Sequence, residues 1–199
     1  AYPVRINEVT PGEVAYAADD YEVRAFRVDH RTTAVGYALV EDERKGRFDR
    51  ERAEELGVPV GPKFSRLHGG EPVELDDGSV VRPEQVVGEP RPGRRVVYTG
   101  DTRPTDTVVE AARDADLLVH DATFADDARE RAGKTGHATA RQAAELARRA
   151  GAKRLALHHV SSRYASETDR LVREARAAFD GTVTLPDDGD EIDVPYPDE

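Results

Sequence analysis

The sequence contains no cysteine, and this absence limits the kind of metal site that it can build. With no cysteine among 199 residues, neither a disulfide framework nor a thiolate metal site is possible. Any bound metal must be held by histidine and carboxylate groups, which suits zinc or manganese in a hydrolytic role. The absence of cysteine also fits a cytoplasmic protein.

Long apolar runs and a recognisable leader are missing as well. No stretch approaches the roughly 18 consecutive apolar residues of a membrane helix, so we expect no membrane partner. No charged and then apolar segment resembling a signal peptide opens the sequence. The first residue is Ala1 rather than methionine, and strand-like sequence follows at once. This beginning predicts a piece of a longer protein.

Lysine is scarce, whereas acidic residues are abundant. Only four of the 29 basic residues are lysine, and the formal net charge is −11. An acidic surface with little lysine keeps a protein hydrated in molar salt, so the composition indicates a halophile. The alternative is an ordinary acidic protein from a GC-rich genome, which would also favour arginine. A negative charge normally argues against a nucleic-acid partner, but a halophilic surface is acidic whatever the protein binds.

Strand-like segments come first and are followed by alternating strands and helices. Strands are expected at 4–9, 14–17, 21–30, 34–40, 94–97, 116–120 and 154–157, with a closing hairpin over 181–185 and 191–194. Helices are expected at 105–115, 139–150 and 167–179, the first with Thr105 as its N-cap. This order predicts a layered α/β domain.

Residues 43–92 interrupt this alternation. They contain little core-like sequence and many glycine and proline residues, and so long an irregular stretch is usually functional or disordered. Residues 44–68 carry seven basic and four acidic residues, a local charge of +3 in a chain of −11.

Polar residues follow several of the expected strands, where the sites of layered α/β folds collect. Asp101 comes soon after the strand at 94–97, although it could instead cap the next helix. His158 and His159 end a later strand. Because successive side chains of a strand point in opposite directions, at most one of these two histidines shares a pocket with Asp101.

Other histidines lie at comparable positions. His30 ends a strand, where a lone histidine is more often structural than a ligand. His137 lies in a glycine-flanked loop that enters a helix, with Thr139 and backbone amides available to an anion; the alternative is a plain helix start. His120 and Asp121 form a polar pair at the end of another apolar strand.

Taken together, five motifs in this order resemble tRNase Z, a family of zinc-dependent endoribonucleases with the metallo-β-lactamase fold. The motifs are Val-Asp-His at 28–30 with Gly36 and Tyr37, Gly-Asp-Thr-Arg-Pro at 100–104, His-Asp-Ala-Thr-Phe at 120–124 in place of His-Glu-Ala-Thr, Gly-His-Ala-Thr at 136–139 in place of Gly-His-Ser-Thr, and Leu-His-His-Val-Ser-Ser-Arg-Tyr at 157–164. The family removes 3′ trailers from precursor tRNA and leaves a 3′-hydroxyl.

The resemblance implies an αββα sandwich of which residues 1–199 are the C-terminal portion. The family's His-x-His-x-Asp-His signature, which supplies four metal ligands, does not occur in this sequence. We expect it upstream of Ala1, so that this chain holds three of seven ligands and is inactive by itself.

By the same resemblance, the complete enzyme holds two zinc ions and acts as a homodimer on precursor tRNA. Asp101 would bridge the two ions, His30 would bind one and His159 the other. The catalytic groups would be Asp101 and His137, with His137 protonating the leaving oxygen.

Residues 44–90 are expected to form a protruding arm that grips the tRNA, with Gly61 and Pro62 as its glycine-proline element. The alternative is a disordered insertion. The expected substrate contacts, in the arm and around the site, are Arg44, Lys45, Arg47, Lys63, Arg66, Thr139 and Arg163.

Two other functions stay open at this point. One is a different hydrolase of the metallo-β-lactamase fold, but a small-molecule hydrolase has no use for an arm. The other is a catalytically dead RNA-binding or dimerisation module, which metal content would distinguish from an enzyme.

Overall fold

A computed structural model describes residues 3, 4 and 6–198 and divides them into two units. The larger unit holds the described residues up to Asp42 together with residues 94–197, and the smaller unit holds residues 43–93 with Asp198. Among the described residues, no helix is both long and apolar enough to cross a membrane.

The strands were expected mainly from short apolar runs, and most of those expectations are confirmed. In chain order the strands are β1 (Val14–Ala17), β2 (Tyr21–Arg27), β3 (Val35–Glu41), β4 (Val73–Glu74), β5 (Val80–Val81), β6 (Arg95–Tyr98), β7 (Leu117–Asp121), β8 (Arg154–His158) and β9 (Thr182–Thr184). Seven of them form one sheet of order β1-β2-β3-β6-β7-β8-β9. The pairs from β1 to β6 are antiparallel, and those from β6 to β9 are parallel. The carboxyl ends of β6, β7 and β8 therefore meet at one edge of the sheet.

The helices are α1 (Arg50–Glu55), α2 (Pro62–Gly69), α3 (Asp106–Ala111), α4 (Arg129–Thr135), α5 (Ala140–Ala150) and α6 (Thr168–Arg176). Helix α5 shows how the sequence specifies its bounds. The Thr139 side chain accepts from the Gln142 backbone N–H at its start, a cap that contributes about 1 kcal/mol. Gly151 ends it in the left-handed conformation with φ of 70°. Alanines at helical spacing form its buried face, which allows close packing.

One face of the seven-stranded sheet packs against α3, α5 and α6. Its buried side chains include Val97, Leu118 and Leu155, which share one hydrophobic cluster with the helices. The alternate side chains point the other way, and there Leu39 and Val96 remain partly exposed while Tyr98 is 47% exposed. The second face is thus apolar but only partly covered.

The smaller unit corrects the expectation that residues 43–92 contain little core-like sequence. They fold into α1, α2 and the antiparallel pair β4–β5, around a buried cluster of Ala53, Val58, Leu67, Val73, Val81 and Val86. The apolar residues come from several short elements, so no helical or strand periodicity revealed them. None of these residues contributes a strand to the seven-stranded sheet.

Two expected strands are not found. Residues 4 and 6–9 form no strand, and Arg5 lies outside the described residues. Residues 191–194 do not pair with β9 as a hairpin. Instead, the carbonyl of Asp193 accepts from the Arg154 guanidinium and that of Val194 from Arg94. Side-chain donors thus take the place of a strand ladder.

Candidate metal centre

Asp101 lies in the loop that follows β6. Gly100 makes the turn with φ of 61°, in the left-handed region that glycine adopts without a steric penalty. Helix α3 begins soon after, but its N-cap is Thr105, whose hydroxyl accepts from the Val108 N–H at 3.2 Å. The alternative role of Asp101 as the cap of the next helix is therefore wrong, and its carboxylate is available to the site.

Asp121, the last residue of β7, is fully buried and surrounded by donors. Its carboxylate accepts from the backbone N–H groups of Thr102 at 3.1 Å and Thr123 at 2.9 Å, and from the Thr123 hydroxyl at 2.8 Å. The Nδ1 atom of His137 lies 2.7 Å from it. Such donors are what a buried carboxylate needs to replace its lost hydration. The sequence marked Asp121 only as a polar residue at a strand end and assigned it no role.

His137 lies between α4 and α5 and is brought to Asp121 by the preceding glycine. Gly136 ends α4 with φ of 88°, and a Cβ at this position would come within 2.7 Å of His30 Nδ1. Glycine is therefore required both for the turn and for the approach of His30. The His30 Nδ1 atom bonds the Gly136 carbonyl at 2.8 Å, and its ring lies 5.1 Å from that of His137. His30 thus borders the site.

The two adjacent histidines at the end of β8, His158 within the strand and His159 just after it, have different environments. His159 has a φ of 60°, which turns the chain out of the strand. Its Nε2 lies 3.6 Å from Asp101 Oδ2, and its Nδ1 lies 2.8 Å from the Thr123 hydroxyl. His158 instead lies against the ring of Tyr98 at 5.0 Å, and burial lowers its pKa from 6.5 to about 4. Only His159 contacts Asp101 as a potential ligand pair.

Four side chains converge at this edge of the sheet: Asp101, Asp121, His137 and His159. Each offers one ligand atom, and these atoms all lie within 4.8 Å of one another. The 3.6 Å between Asp101 and His159 is long for a hydrogen bond. It is close to the roughly 3.4 Å expected between two atoms that bind one zinc at tetrahedral angles. The donor set, two carboxylates and two imidazoles, fits zinc or manganese.

Four of the five expected substrate residues in the smaller unit lie in ion pairs. Arg44 and Arg47 both pair with the carboxylate of Asp198, as does Arg91 at 3.2 Å. Lys63 donates to the Glu74 carbonyl at 2.7 Å. Arg66 pairs with Glu71 at 3.1 Å, whereas the side chain of Lys45 is simply exposed.

Two further expected contacts belong to the larger unit. Arg163 is exposed, in the turn that follows His159. Thr139 is fully buried, and its hydroxyl caps α5 and lies 3.5 Å from Asp126. The expectation that Thr139 offers its hydroxyl to an anion stays a prediction: as the cap the hydroxyl accepts from Gln142, and its donor side faces Asp126.

Comparison with known proteins agrees with this fold. Residues 85–160 match a family model described as "Beta-lactamase superfamily domain". The structure of human tRNase Z, short form, superposes with a TM-score of 0.54 at 24% identity, covering 92% of this chain and 47% of that chain. At that identity the likeness shows the fold alone. The chain has the metallo-β-lactamase fold.

The sequence relatives are more specific. Ribonuclease Z of Halorubrum lacusprofundi is 66% identical over 198 residues, which cover 100% of this chain and 64% of the relative. Ribonuclease Z of Natronomonas pharaonis is 63% identical over 199 residues, 100% of this chain and 65% of the relative. Along its whole length the chain is similar to ribonuclease Z, and it spans slightly less than two thirds of these relatives. That they are haloarchaeal fits the acidic, lysine-poor composition.

Proposed function

We propose that this chain provides part of the active site of a metal-dependent endoribonuclease that removes 3′ trailers from precursor tRNA. The observation that supports this most is the convergence of Asp101, His159 and the Asp121–His137 pair at the strand ends of a ribonuclease Z-like chain. Its relatives carry the name ribonuclease Z over the whole of this sequence.

In this proposal zinc is held by Asp101, His159 and His30, with other ligands from the part of the relatives that this chain does not cover. Zinc bound there would supply Lewis-acid activation of water and of the scissile phosphate. Asp101 and His159 turn ligand atoms toward each other, whereas Asp121 and His137 are engaged with one another. We therefore assign metal binding to the first pair and proton transfer to the second.

His137 is the proposed proton donor. Its Nδ1 lies 2.7 Å from the buried Asp121 carboxylate, which fixes the orientation of the ring and leaves Nε2 for the substrate. In this proposal a proton on Nε2 is delivered to the 3′ oxygen of the tRNA as the P–O bond breaks. Water adds to the phosphorus, so the trailer leaves with a 5′-phosphate and the tRNA keeps a 3′-hydroxyl.

We propose the smaller unit as the RNA-binding arm. Its exposed or ion-paired arginines, Arg44, Arg47 and Arg91, gather around one carboxylate, which a phosphate could replace. In molar salt the Debye length is only about 3 Å, so charge steering is weak. Short bidentate contacts between arginine and phosphate then contribute more than net charge.

The test is trailer removal from a precursor tRNA in high salt with added zinc, with the product ends mapped. The 199-residue chain is assayed alone and together with the segment of the Halorubrum relative that it does not cover. We expect cleavage only with that segment, and its loss in Asp101→Ala. The matched control is Asp106→Ala, which changes an exposed aspartate of α3. RNA binding without any zinc binding or cleavage in either arm would support an RNA-binding module instead.

The homodimer implied by the resemblance is also a proposal. Sedimentation of the chain in high salt, with and without the Halorubrum segment, measures it directly. A monomer at every concentration in both arms would contradict it.

A further inference from the structure

Thr123 joins the two halves of the candidate metal centre. Its hydroxyl lies 2.8 Å from Asp121 Oδ1 and 2.8 Å from His159 Nδ1. It therefore links the carboxylate that holds His137 to the imidazole that faces Asp101. The function proposed above gives this residue no task.

A hydroxyl has one proton, which settles the direction of the two hydrogen bonds. Asp121 is an acceptor, because each of its oxygens already faces a backbone N–H that can only donate: Thr123 at Oδ1 and Thr102 at Oδ2. The Thr123 hydroxyl consequently donates to Asp121. With its proton used, it can only accept from His159, whose Nδ1 must carry a hydrogen.

We propose that Thr123 is a positioning residue that fixes His159 in the Nδ1–H tautomer and so presents the Nε2 lone pair toward Asp101. Asp121 thereby orients two imidazoles, His137 by direct contact and His159 through the Thr123 hydroxyl. Both rings then present Nε2 to the site. A metal-binding histidine is commonly oriented by a group that accepts from its other nitrogen, and loss of that group costs 10- to 100-fold in metal affinity.

The hydroxyl is held in place from several sides. Thr123 is 6% exposed, and its backbone N–H also bonds Asp121. Its carbonyl accepts from the Ser161 N–H at 3.1 Å, which ties it to the loop that carries His159. A branched side chain has few rotamers open to it, so the hydroxyl has little freedom to leave either partner.

The inference rests on the proposed metal site for its purpose, but the tautomer is a property of the metal-free protein. The test is therefore ¹⁵N NMR of the histidine-labelled 199-residue chain without metal, at a pH where the imidazoles are neutral. His159→Gln identifies the resonances of His159. We expect a protonated Nδ1 and an unprotonated Nε2 in the wild type.

Two variants probe the role of the hydroxyl. Thr123→Val keeps the shape and removes the hydroxyl, whereas Thr123→Ser keeps the hydroxyl and serves as the matched control. We expect His159 in Thr123→Val to shift toward the Nε2–H tautomer and zinc affinity to fall 10- to 100-fold. Thr123→Ser should restore both.

A wild-type His159 with hydrogen on Nε2 would overturn the proposal, and this measurement needs no variant to fold. An unchanged tautomer in a folded Thr123→Val would overturn it as well. Absence of zinc binding in every protein, with the expected tautomers, would contradict the proposed metal site and leave the role of Thr123 intact.

Discussion

The two units of this chain differ in where they keep their polar groups. In the larger unit eight polar side chains are buried: Thr99, Thr102, Asp116, His120, Asp121, Thr123, His137 and Thr139. In residues 43–93 every buried side chain is apolar, and the charged groups lie on the surface. Buried, hydrogen-bonded groups are held in fixed geometry, which chemistry requires. Surface arginines can adapt to a long flexible ligand. The difference is consistent with the proposal above, in which the larger unit carries the chemistry and the smaller unit the recognition of RNA.

The largest effect is expected when the buried network is broken at its centre. Asp121→Asn keeps the size of the side chain, but its amide NH₂ would face the N–H groups that now donate to the carboxylate. We expect cleavage by the reconstituted enzyme to fall 10²- to 10⁴-fold, the usual contribution of acid–base catalysis. Single-turnover trailer removal measures it, with the exposed Asp106→Asn as control. Activity within threefold of wild type would show that the buried carboxylate is not part of the chemistry.

A core deletion in the smaller unit tests whether the two units are independent. Leu67 is fully buried in the cluster of the smaller unit. Leu67→Ala should destabilise that unit by about 2–5 kcal/mol through lost packing and a residual cavity. Hydrogen exchange should rise in residues 43–93 and stay unchanged in β7 and β8. If exchange rose equally in both, the units would form one cooperative structure.

Arginine substitutions in the smaller unit should weaken RNA binding and leave the metal site unchanged. For Arg47→Gln we expect the dependence of log affinity on log salt to decrease by about 0.7 for one lost single-strand phosphate contact. Asp198→Asn should instead strengthen RNA binding and its dependence on salt, since this change releases three guanidinium groups. Filter binding over a salt series measures both, with the exposed Arg113→Gln of the larger unit as control. A change in zinc affinity in Arg47→Gln would contradict the separate roles proposed for the two units.

The smallest effect is expected at the cap of α3. Thr105→Ala should lower the free energy of unfolding of the larger unit by about 1 kcal/mol, since the Val108 N–H loses its acceptor. Thr105→Ser should restore most of it. Thermal unfolding in high salt measures the difference. A loss of cleavage in Thr105→Ala beyond what its stability explains would indicate that the cap also positions the Asp101 loop.

The same contrast explains what could be predicted from the sequence. Asp101, His137 and His159 follow strands or enter a helix, so local patterns marked them and the family resemblance selected among them. The choice of His159 over His158 did not follow from strand alternation, because a positive φ takes His159 out of the strand. The role of Thr123 depends on hydrogen bonds between residues 36 apart in the chain, which no local pattern reveals.

The smaller unit was least predictable for a related reason. Its core joins residues from Ala53 to Val86 through elements of two to eight residues, each too short to show a period. The glycines and prolines that suggested irregularity are the turns between these elements. The helix start at Gly61 and Pro62 is an example, with proline at the first helical position.

The pairing of β3 with β6 has a consequence for how this chain can change in evolution. The Glu41 N–H donates to the Arg94 carbonyl, and the Glu41 carboxylate accepts from the Arg94 N–H and pairs with its guanidinium, so the two strands that flank residues 43–93 are held together. Because these strands are joined, the entropic cost of closing the loop between them grows only with the logarithm of its length. Each doubling of the length adds about 0.6 kcal/mol. Insertions, deletions or exchange of the whole segment therefore cost the sheet little. The smaller unit can therefore be altered or replaced in evolution while the strand ends that carry Asp101, Asp121 and His159 stay unchanged.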